Sequence, residues 1–438
     1  MNILIIAHHF PPENAMASLR PYSWAKYWSR WGHKVIVLTT QKAGFDAPLT
    51  LFSDSSSREF KVEEISYLRK KHQDKLGKSV IEQNYSPKKR IVDPIIQWSR
   101  KIRQSAGTGA LLSVRSLWIQ PALKRAVQLH DEYSFDVVVS TYGPPAPHIV
   151  ASLLKRRLPS LLWMADYRDL WNDYNDEIRK WPFSVLENFI ENYFVAKADM
   201  LTTVSDPLGE ILAKRFSKPV FTIENGFDVD DIVKEEECSL VKGNLFNSGD
   251  KVTLVYTGKI YAGKRDPYPL LKAIHNLNAK GILNEHNFQA LFFSDEIGPL
   301  PALIARLKIE HLVKVPGFVE RPISLAIQRC ADALIFLDWS DPNIDGILTG
   351  KLFEYLFSGT PILGIGSQEN FAAGKLIKES GCGICLGQDV PKITTVLEQL
   401  IAKQALPYQP RPEVLQRYTR EGLAQKMLQL LQELTGKP

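Results

Sequence analysis

Four cysteines in 438 residues, Cys238, Cys330, Cys382 and Cys385, are too few for a disulfide framework and fit a reducing compartment better. No stretch reaches the ~18 uninterrupted apolar residues that a membrane-crossing helix needs. The apolar N-terminal run Asn2–Ala7 has no basic segment before it. It stops at His8-His9-Phe10-Pro11-Pro12, so it reads neither as a signal peptide nor as a span. Two nucleotide-binding fingerprints are also missing. No Gly-x-x-x-x-Gly-Lys-Ser/Thr sequence occurs, and no Gly-x-Gly-x-x-Gly occurs where it could act, which argues against a P-loop enzyme and a nicotinamide oxidoreductase. Cys382 and Cys385 stand as a lone pair in apolar surroundings, with no second pair or histidine at ligand spacing. They read as free structural thiols, and no metal site is expected.

What is present is an ordinary globular composition, 45% apolar and 23% charged, in a chain long enough for two or three domains. The net charge of +6 is unevenly spread. Residues 1–220 hold 31 Lys and Arg against 22 Asp and Glu, and residues 58–103 alone hold 13 against 6. Such a segment is either a solvated basic face or a seat for an anionic partner such as a membrane surface. Nucleic acid is disfavoured, because only Phe60, Tyr67, Tyr85 and Trp98 interleave with those charges.

The order of elements reads from periodicity. Residues 2–7 form a continuous apolar run, expected as a buried parallel strand. Ser18, Leu19, Tyr22, Ala25 and Trp28 then recur at helical spacing up to a Gly32 stop, and 35–38 is a second strand. Residues 41–110 are polar, basic and without clear strands, and read as an insertion. Residues 111–130 read as an amphipathic helix that packs on a core or lies on a membrane. Strands at 136–140, 161–165, 200–204 and 220–224 alternate with helices at 147–157, 184–198 and 206–216. After a composition shift at 225–250, a second series follows. Its strands are expected at 252–256, 289–293, 313–315, 333–337 and 361–365, and a long helical pattern covers 412–436. The alternation predicts α/β architecture with doubly wound parallel sheets.

In such sheets ligands bind beyond the carboxyl ends of the strands, so the loops there carry the candidate residues. His9 and Asn14 follow the first strand. Asp166, Arg168 and Asp169 follow the strand ending near Ala165; an arginine between two carboxylates orients them, and one acid is then placed for base chemistry or hydroxyl binding. Gly258 opens the first loop of the second series, where Lys259, Lys264 and Arg265 supply three cations around a close backbone approach, a pattern suited to a diphosphate. Thr349, Gly350, Lys351 and Leu352 read as a turn opening a short helix whose amides face a second phosphate oxygen. Glu354 lies one turn inside, where a carboxylate accepts from ribose hydroxyls.

These residues resemble the family 4 glycosyltransferases of the GT-B fold over nearly the whole chain. The opening strand with His-Phe-Pro-Pro-Glu-Asn, Arg20 and Trp31-Gly-His-Lys-Val-Ile-Val-Leu-Thr39 is similar to that family's N-terminal signature. Thr141-Tyr-Gly-Pro-Pro145 with His148, and Asp166-Tyr-Arg-Asp-Leu-Trp171, resemble a bacterial cell-surface polysaccharide subgroup. Val204-Ser205 and Glu224-Asn-Gly-Phe-Asp228 resemble its interdomain segments. Gly258-Lys259 with Lys264-Arg265, and Lys351-Leu-Phe-Glu354-Tyr with Ser358-Gly-Thr-Pro361, are the most specific. The resemblance implies two Rossmann-like domains facing across a cleft: an acceptor-binding domain at 1–224, with its insertion at about 41–130, a nucleotide-sugar-binding domain at 225–411, and a helix at 412–438 packing back on the first. It implies a retaining transfer from a nucleotide-diphosphate-sugar to a glycan or lipid-linked acceptor in surface polysaccharide synthesis. No metal or other cofactor is implied, and the expected place is the cytoplasm, peripheral on the inner face of the membrane. Lys259, Lys264, Arg265 and the Thr349–Leu352 amides would hold the diphosphate and Glu354 the ribose. Asp166, Arg168 and Asp169 would fall at the catalytic loop, and His9, Asn14 and Arg20 would meet the acceptor.

The chain departs from the family pattern in places. Gly346, with Asp345 beside it, stands where many members carry an acid eight residues before Glu354. Lys259 replaces the usual arginine, and Ala15-Met-Ala-Ser18 replaces paired glycines. The histidine of many members' catalytic loop has no counterpart. Two alternatives follow: a nucleotide-sugar epimerase of the same fold, which needs no acceptor, and a non-catalytic nucleotide-sugar binding protein.

Overall fold

A computed structural model describes residues 1–42, 51, 59–66, 113–171, 180–233, 238, 246, 251–260, 264–294, 296–339 and 348–437. Most of the basic stretch at 58–103, with Tyr67, Tyr85 and Trp98, lies outside the described residues, as do Asp345 and Gly346. The chain divides into two compact units, Met1–Ile223 with Ala424–Pro438, and Glu224–Leu423. Among the described residues no helix is long and apolar enough to cross a membrane.

The first unit is built on a seven-stranded parallel sheet. Its strands are β1 (Asn2–Ile6), β2 (Lys34–Thr40), β3 (Lys61–Ile65), β4 (Val137–Thr141), β5 (Leu162–Tyr167), β6 (Met200–Thr203) and β7 (Val220–Thr222), in the order β3-β2-β1-β4-β5-β6-β7. Helices cover both faces, so Ile3–Ile6 and Val137–Val139 are fully buried, which is why these runs are continuously apolar rather than alternating. The helix Ile119–Tyr133 turns Ala122, Leu123, Ala126 and Leu129 into the core, which settles the choice left open by its amphipathic pattern. A 3-10 turn over Val114–Trp118 precedes it, where one continuous helix was expected. In the same unit, Trp28 Nε1 donates to the Ala424 carbonyl at 2.9 Å and ties the C-terminal segment to the Met16–Arg30 helix.

The second unit repeats the architecture with six parallel strands. They are β8 (Val252–Thr257), β9 (Phe288–Phe293), β10 (Val313–Lys314), β11 (Ala333–Leu337), β12 (Ile362–Ile365) and β13 (Gly383–Gly387), in the order β10-β9-β8-β11-β12-β13. Both sheets reverse direction of growth beside their first strand, at β1/β4 and β8/β11. Those are the switch points where an open α/β sheet leaves a crevice for ligands.

Two strands escaped the sequence pattern. β3 is an edge strand whose Glu63 is held by Lys61 and by Arg125 at 3.1 Å, so charge replaces the apolar alternation that marks a strand. β13 starts directly after Cys382 and contains Cys385. A Cβ on Gly383 would lie 2.2 Å from the Ile362 carbonyl oxygen, so the glycine is there for close strand approach, and both thiols are buried and reduced as expected. Cys238 and Cys330 depart from the expected all-reduced state: they form a disulfide. Pairing across 92 residues of sequence is set by the fold, and a count of cysteines does not reveal it.

Candidate functional site

In the first unit, Thr141, Asp166 and Thr202 are lateral neighbours in register on β4, β5 and β6, so their side chains leave the same face of the sheet. They converge on the Asp166 carboxylate, which is fully buried. Its Oδ1 accepts from Arg20 Nη2 at 2.7 Å and Thr202 Oγ1 at 2.9 Å. Its Oδ2 accepts from Arg20 Nε at 3.1 Å and Thr141 Oγ1 at 2.9 Å. These four bonds fill the carboxylate's acceptor sites. Asp166 is thus a fully buried carboxylate held by Arg20 and two threonines, an arrangement suited to anchoring the sheet end. Arg168 Nε pairs with the half-exposed Asp169 at 3.1 Å, while Arg20 pairs with Asp166.

Arg168 reaches over Gly143, where a Cβ would sit 2.4 Å from Nη2; Gly143 has φ +103°, a conformation other residues rarely adopt. Beyond β1, His9 Nδ1 lies 2.9 Å from Glu13 Oε1, and Lys42 Nζ lies 3.7 Å from Glu13 Oε2. Burial lowers the His9 pKa, opposed by Glu13 and reinforced by the Arg168 and Arg115 charges. A neutral imidazole oriented by a carboxylate is equipped to take a proton. Asn14 is half-buried beside it. Glu13 and Lys42 were missed as site residues; the one signal in the sequence was the four-residue spacing of His9 and Glu13.

His148, deeper in the same unit, is a core residue. Its Nδ1 lies 2.8 Å from Ser140 Oγ, and burial lowers its pKa to about 3 against the pull of Asp166. The folded value lies below the ordinary 6.5, so the unfolded chain binds the proton first as pH falls. Stability present above about pH 6.5 is lost towards pH 3, at roughly 1.4 kcal/mol per pH unit. Urea unfolding at pH 7.5 and pH 5 is expected to show a smaller acid loss in His148→Gln than in the parent.

The second unit gathers the other candidates around the end of β8. Gly258 has φ +121°, and a Cβ there would lie 2.0 Å from Lys351 Nζ, so only glycine leaves room for that ammonium group. Lys351 Nζ sits 4.1 Å from the centroid of the Tyr256 ring and is buried without a hydrogen-bond partner. Burial, and then the Arg265 charge, hold its pKa well below the ordinary lysine value, opposed by Glu354. Thr349 Oγ1 is likewise buried without a partner. Buried polar groups are nearly always satisfied, so two orphans two residues apart, one of them an ammonium, make this a candidate place for an external group.

Glu354 is no solvated helical carboxylate. Its Oε1 lies 3.3 Å from Arg321 Nε and its Oε2 accepts from Gln328 Nε2 at 3.4 Å, which leaves about half its acceptor capacity. Gln328 also donates to Thr257 Oγ1 at 3.0 Å, and Tyr355 OH accepts from the Thr257 amide at 3.0 Å. Arg321 continues to Asp231 at 2.9 Å. Buried Arg420 stands in the same field: burial and the Arg321 charge lower its pKa to about 10, against Asp231, Asp228 and Glu354. A shallow hollow opens here, lined by Phe227, Asp231, Gln328, Arg329, Glu354 and Ser358.

Gly258, Arg265, Thr349, Lys351 and Glu354 thus fall around one spot. Lys259 pairs with Glu296, and Lys264 lies 5.0 Å from the Trp339 ring centroid. The expected amide cradle is reduced, because Leu352 N already donates to the Thr349 carbonyl at 3.0 Å and the helix Gly350–Leu356 has only seven residues. Tyr261, Ala262 and Gly263 of the expected basic loop lie outside the described residues. Arg321, Gln328, Asp231 and Arg420 were invisible in the sequence, because each reaches the site from a different element. Among the described residues no group of three or more His, Cys, Asp or Glu is placed to hold a metal.

The Glycosyltransferase Family 4 profile matches residues 79–231. No curated protein sequence matches the chain. Among solved structures, HepE of Anabaena in complex with UDP is 15% identical, with a TM-score of 0.62 over 99% of this chain and 100% of its own. An α,α-trehalose-phosphate synthase (UDP-forming) of Burkholderia vietnamiensis is 10% identical, with a TM-score of 0.63 over 99% of both chains. The UDP-GlcNAc 2-epimerase of Methanocaldococcus jannaschii is 11% identical, with a TM-score of 0.54 over 99% of this chain and 100% of its own. These likenesses, with the two parallel-sheet units, give the chain the GT-B fold, and the profile match marks residues 79–231 as family-4-like.

Proposed function

We propose that the chain is a retaining glycosyltransferase that moves a sugar from a nucleotide-diphosphate-sugar to a glycan or lipid-linked acceptor in surface polysaccharide synthesis. The observation that carries the reading is Lys351: a buried ammonium without a hydrogen-bond partner, seated against a glycine it needs, with Arg265 and Glu354 around it. A diphosphate supplies the missing anion, and a preorganised cation in a dry site stabilises the charge that develops on the leaving group. The spare acceptor capacity of Glu354 suits ribose hydroxyls. The UDP bound by the Anabaena protein supports the donor class. His9 with Glu13 replaces Asp166 as the candidate proton-handling pair on the acceptor side.

The test is thermal shift with UDP-, GDP- and ADP-sugars on the parent and on Glu354→Gln. One nucleotide class is expected to raise the parent's melting temperature by mass action, with the shift lost or much reduced in the variant. An equal shift in both proteins would remove Glu354 from the donor site. The epimerase reading shares the fold, and conversion of the donor sugar without any acceptor would favour it.

A further inference from the structure

The helix Phe183–Val195 is oriented against its composition. Its charged side chains, Glu187 and Glu191, point inward and are fully buried. Glu191 accepts from Tyr167 OH at 3.0 Å and pairs with Arg215 at 2.9 Å, so burying that carboxylate sets the helix's rotation. Rotation in this sense turns Val185, Phe189 and Tyr193, spaced four residues apart, outward together with Leu186. They are 59%, 65%, 50% and 47% exposed, and Trp181, just before the helix, is 81% exposed. The remaining outward residues, Asn188 and Asn192, are uncharged. A water-facing helix surface without a charge, carrying four large apolar side chains and preceded by an exposed tryptophan, is not an ordinary solvated face.

The rim is basic. Arg156 lies 4.0 Å above the Tyr193 ring and donates to its hydroxyl, and Lys180, Arg157 and Lys197 are exposed. Trp and Tyr at the two ends, aliphatic and Phe side chains between them and Arg/Lys alongside are what a helix lying in the headgroup region of an acidic bilayer requires. A protein groove would accept the apolar stripe but gives no reason for cations along its edge with the helix's own acids turned inward. We propose that this face seats the first unit on an anionic lipid bilayer, with Trp181, Val185, Phe189 and Tyr193 entering the interface and Arg156, Arg157 and Lys197 meeting lipid phosphates. The proposal goes beyond the glycosyltransferase reading and stands without it, since no residue in it touches the nucleotide candidates.

The test is co-sedimentation of the full chain with phosphatidylcholine vesicles and with vesicles of 3:1 phosphatidylcholine and phosphatidylglycerol. The expected result is binding to the anionic vesicles that falls at least tenfold in Phe189→Glu, and falls in Arg156→Gln in a manner that added salt reproduces in the parent. Phe189 is exposed and Arg156 is half-buried, so melting temperatures should fall by no more than a few degrees and show that both variants fold. Equal partition into neutral and anionic vesicles would overturn the proposal. So would Phe189→Glu that binds vesicles like the parent. Sedimentation velocity covers the other occupant: a parent dimer that Phe189→Glu dissociates, with vesicle binding unchanged, would assign the face to a second copy of the chain and overturn the lipid assignment.

Discussion

Lys351→Met is expected to remove nucleotide binding and at the same time to make the free protein more stable. In the parent, an ammonium is buried beside Tyr256 without a hydrogen-bond partner, and its pKa is held well below the ordinary lysine value by burial and by Arg265. Burying a charge without a full partner set costs stability, and methionine fills much the same volume without that cost. Each kcal/mol regained raises the melting point by about 2–4 °C for units of this size. The loss in binding is larger. Truncating one partner of a desolvated charge pair costs about 2–5 kcal/mol, a fall in affinity of roughly thirty- to several-thousand-fold. The pH dependence has a definite sign. The folded pKa is depressed, so the unfolded state binds the proton more tightly, and the parent gains stability as pH rises from the folded value towards ~10.4. The stability gap between variant and parent is therefore largest at low pH and closes in alkali. Calorimetric titration with UDP and melting curves from pH 6 to 10 check both halves. A variant that melts lower than the parent across that range would show that the ammonium is satisfied in the free protein.

Asp166→Asn is expected to cost about 3–5 kcal/mol of stability, because it leaves the Arg20 guanidinium buried without its counter-ion. The amide accepts from Thr141 or Thr202 through one oxygen only and presents a second donor to Arg20. Asp169→Asn, half exposed and paired with Arg168, is expected to change stability by no more than about 0.5 kcal/mol. Arg20→Met combined with Asp166→Asn should recover part of the loss, since the members of a buried pair couple strongly. Urea denaturation midpoints measure all three. A fully stable Asp166→Asn protein without transferase activity would return Asp166 to the catalytic set and refute its role as an anchor.

The legibility of this molecule depended on how far each signal extends along the chain. β1, β4, β5, β8 and β11 were readable because a strand buried on both faces is apolar throughout, and the alternation with helices then implied two doubly wound sheets. Residues with a local backbone reason were readable as well: Gly258 and Lys351 each stand in a short motif, and the structure brings them into contact distance. What could not be read depends on lateral neighbours. Asp166 looked like half of an acid pair with Asp169 because they are three residues apart. Its true partners are Thr141, Thr202 and Arg20, assembled by strand register and by a helix 146 residues away. Glu354 gave no hint of Arg321 or Gln328 for the same reason. The Phe183–Val195 helix misleads in the opposite sense: its apolar residues announce a core face, and two buried glutamates turn that face outward.

The claim at the centre of this account is that Lys351 in the second unit waits for a nucleoside diphosphate. The most direct measurement is the pH titration of the Lys351 side-chain carbon resonances, by NMR of lysine-labelled protein assigned with Lys351→Met, without and with UDP or whichever diphosphate the donor panel selects. The account predicts a pKa below that of the exposed lysines in the free protein, and a rise when the diphosphate binds, because an anion favours the charged form. A titration unchanged by a bound nucleotide, with the perturbation falling on other lysines, would place the diphosphate elsewhere and contradict it.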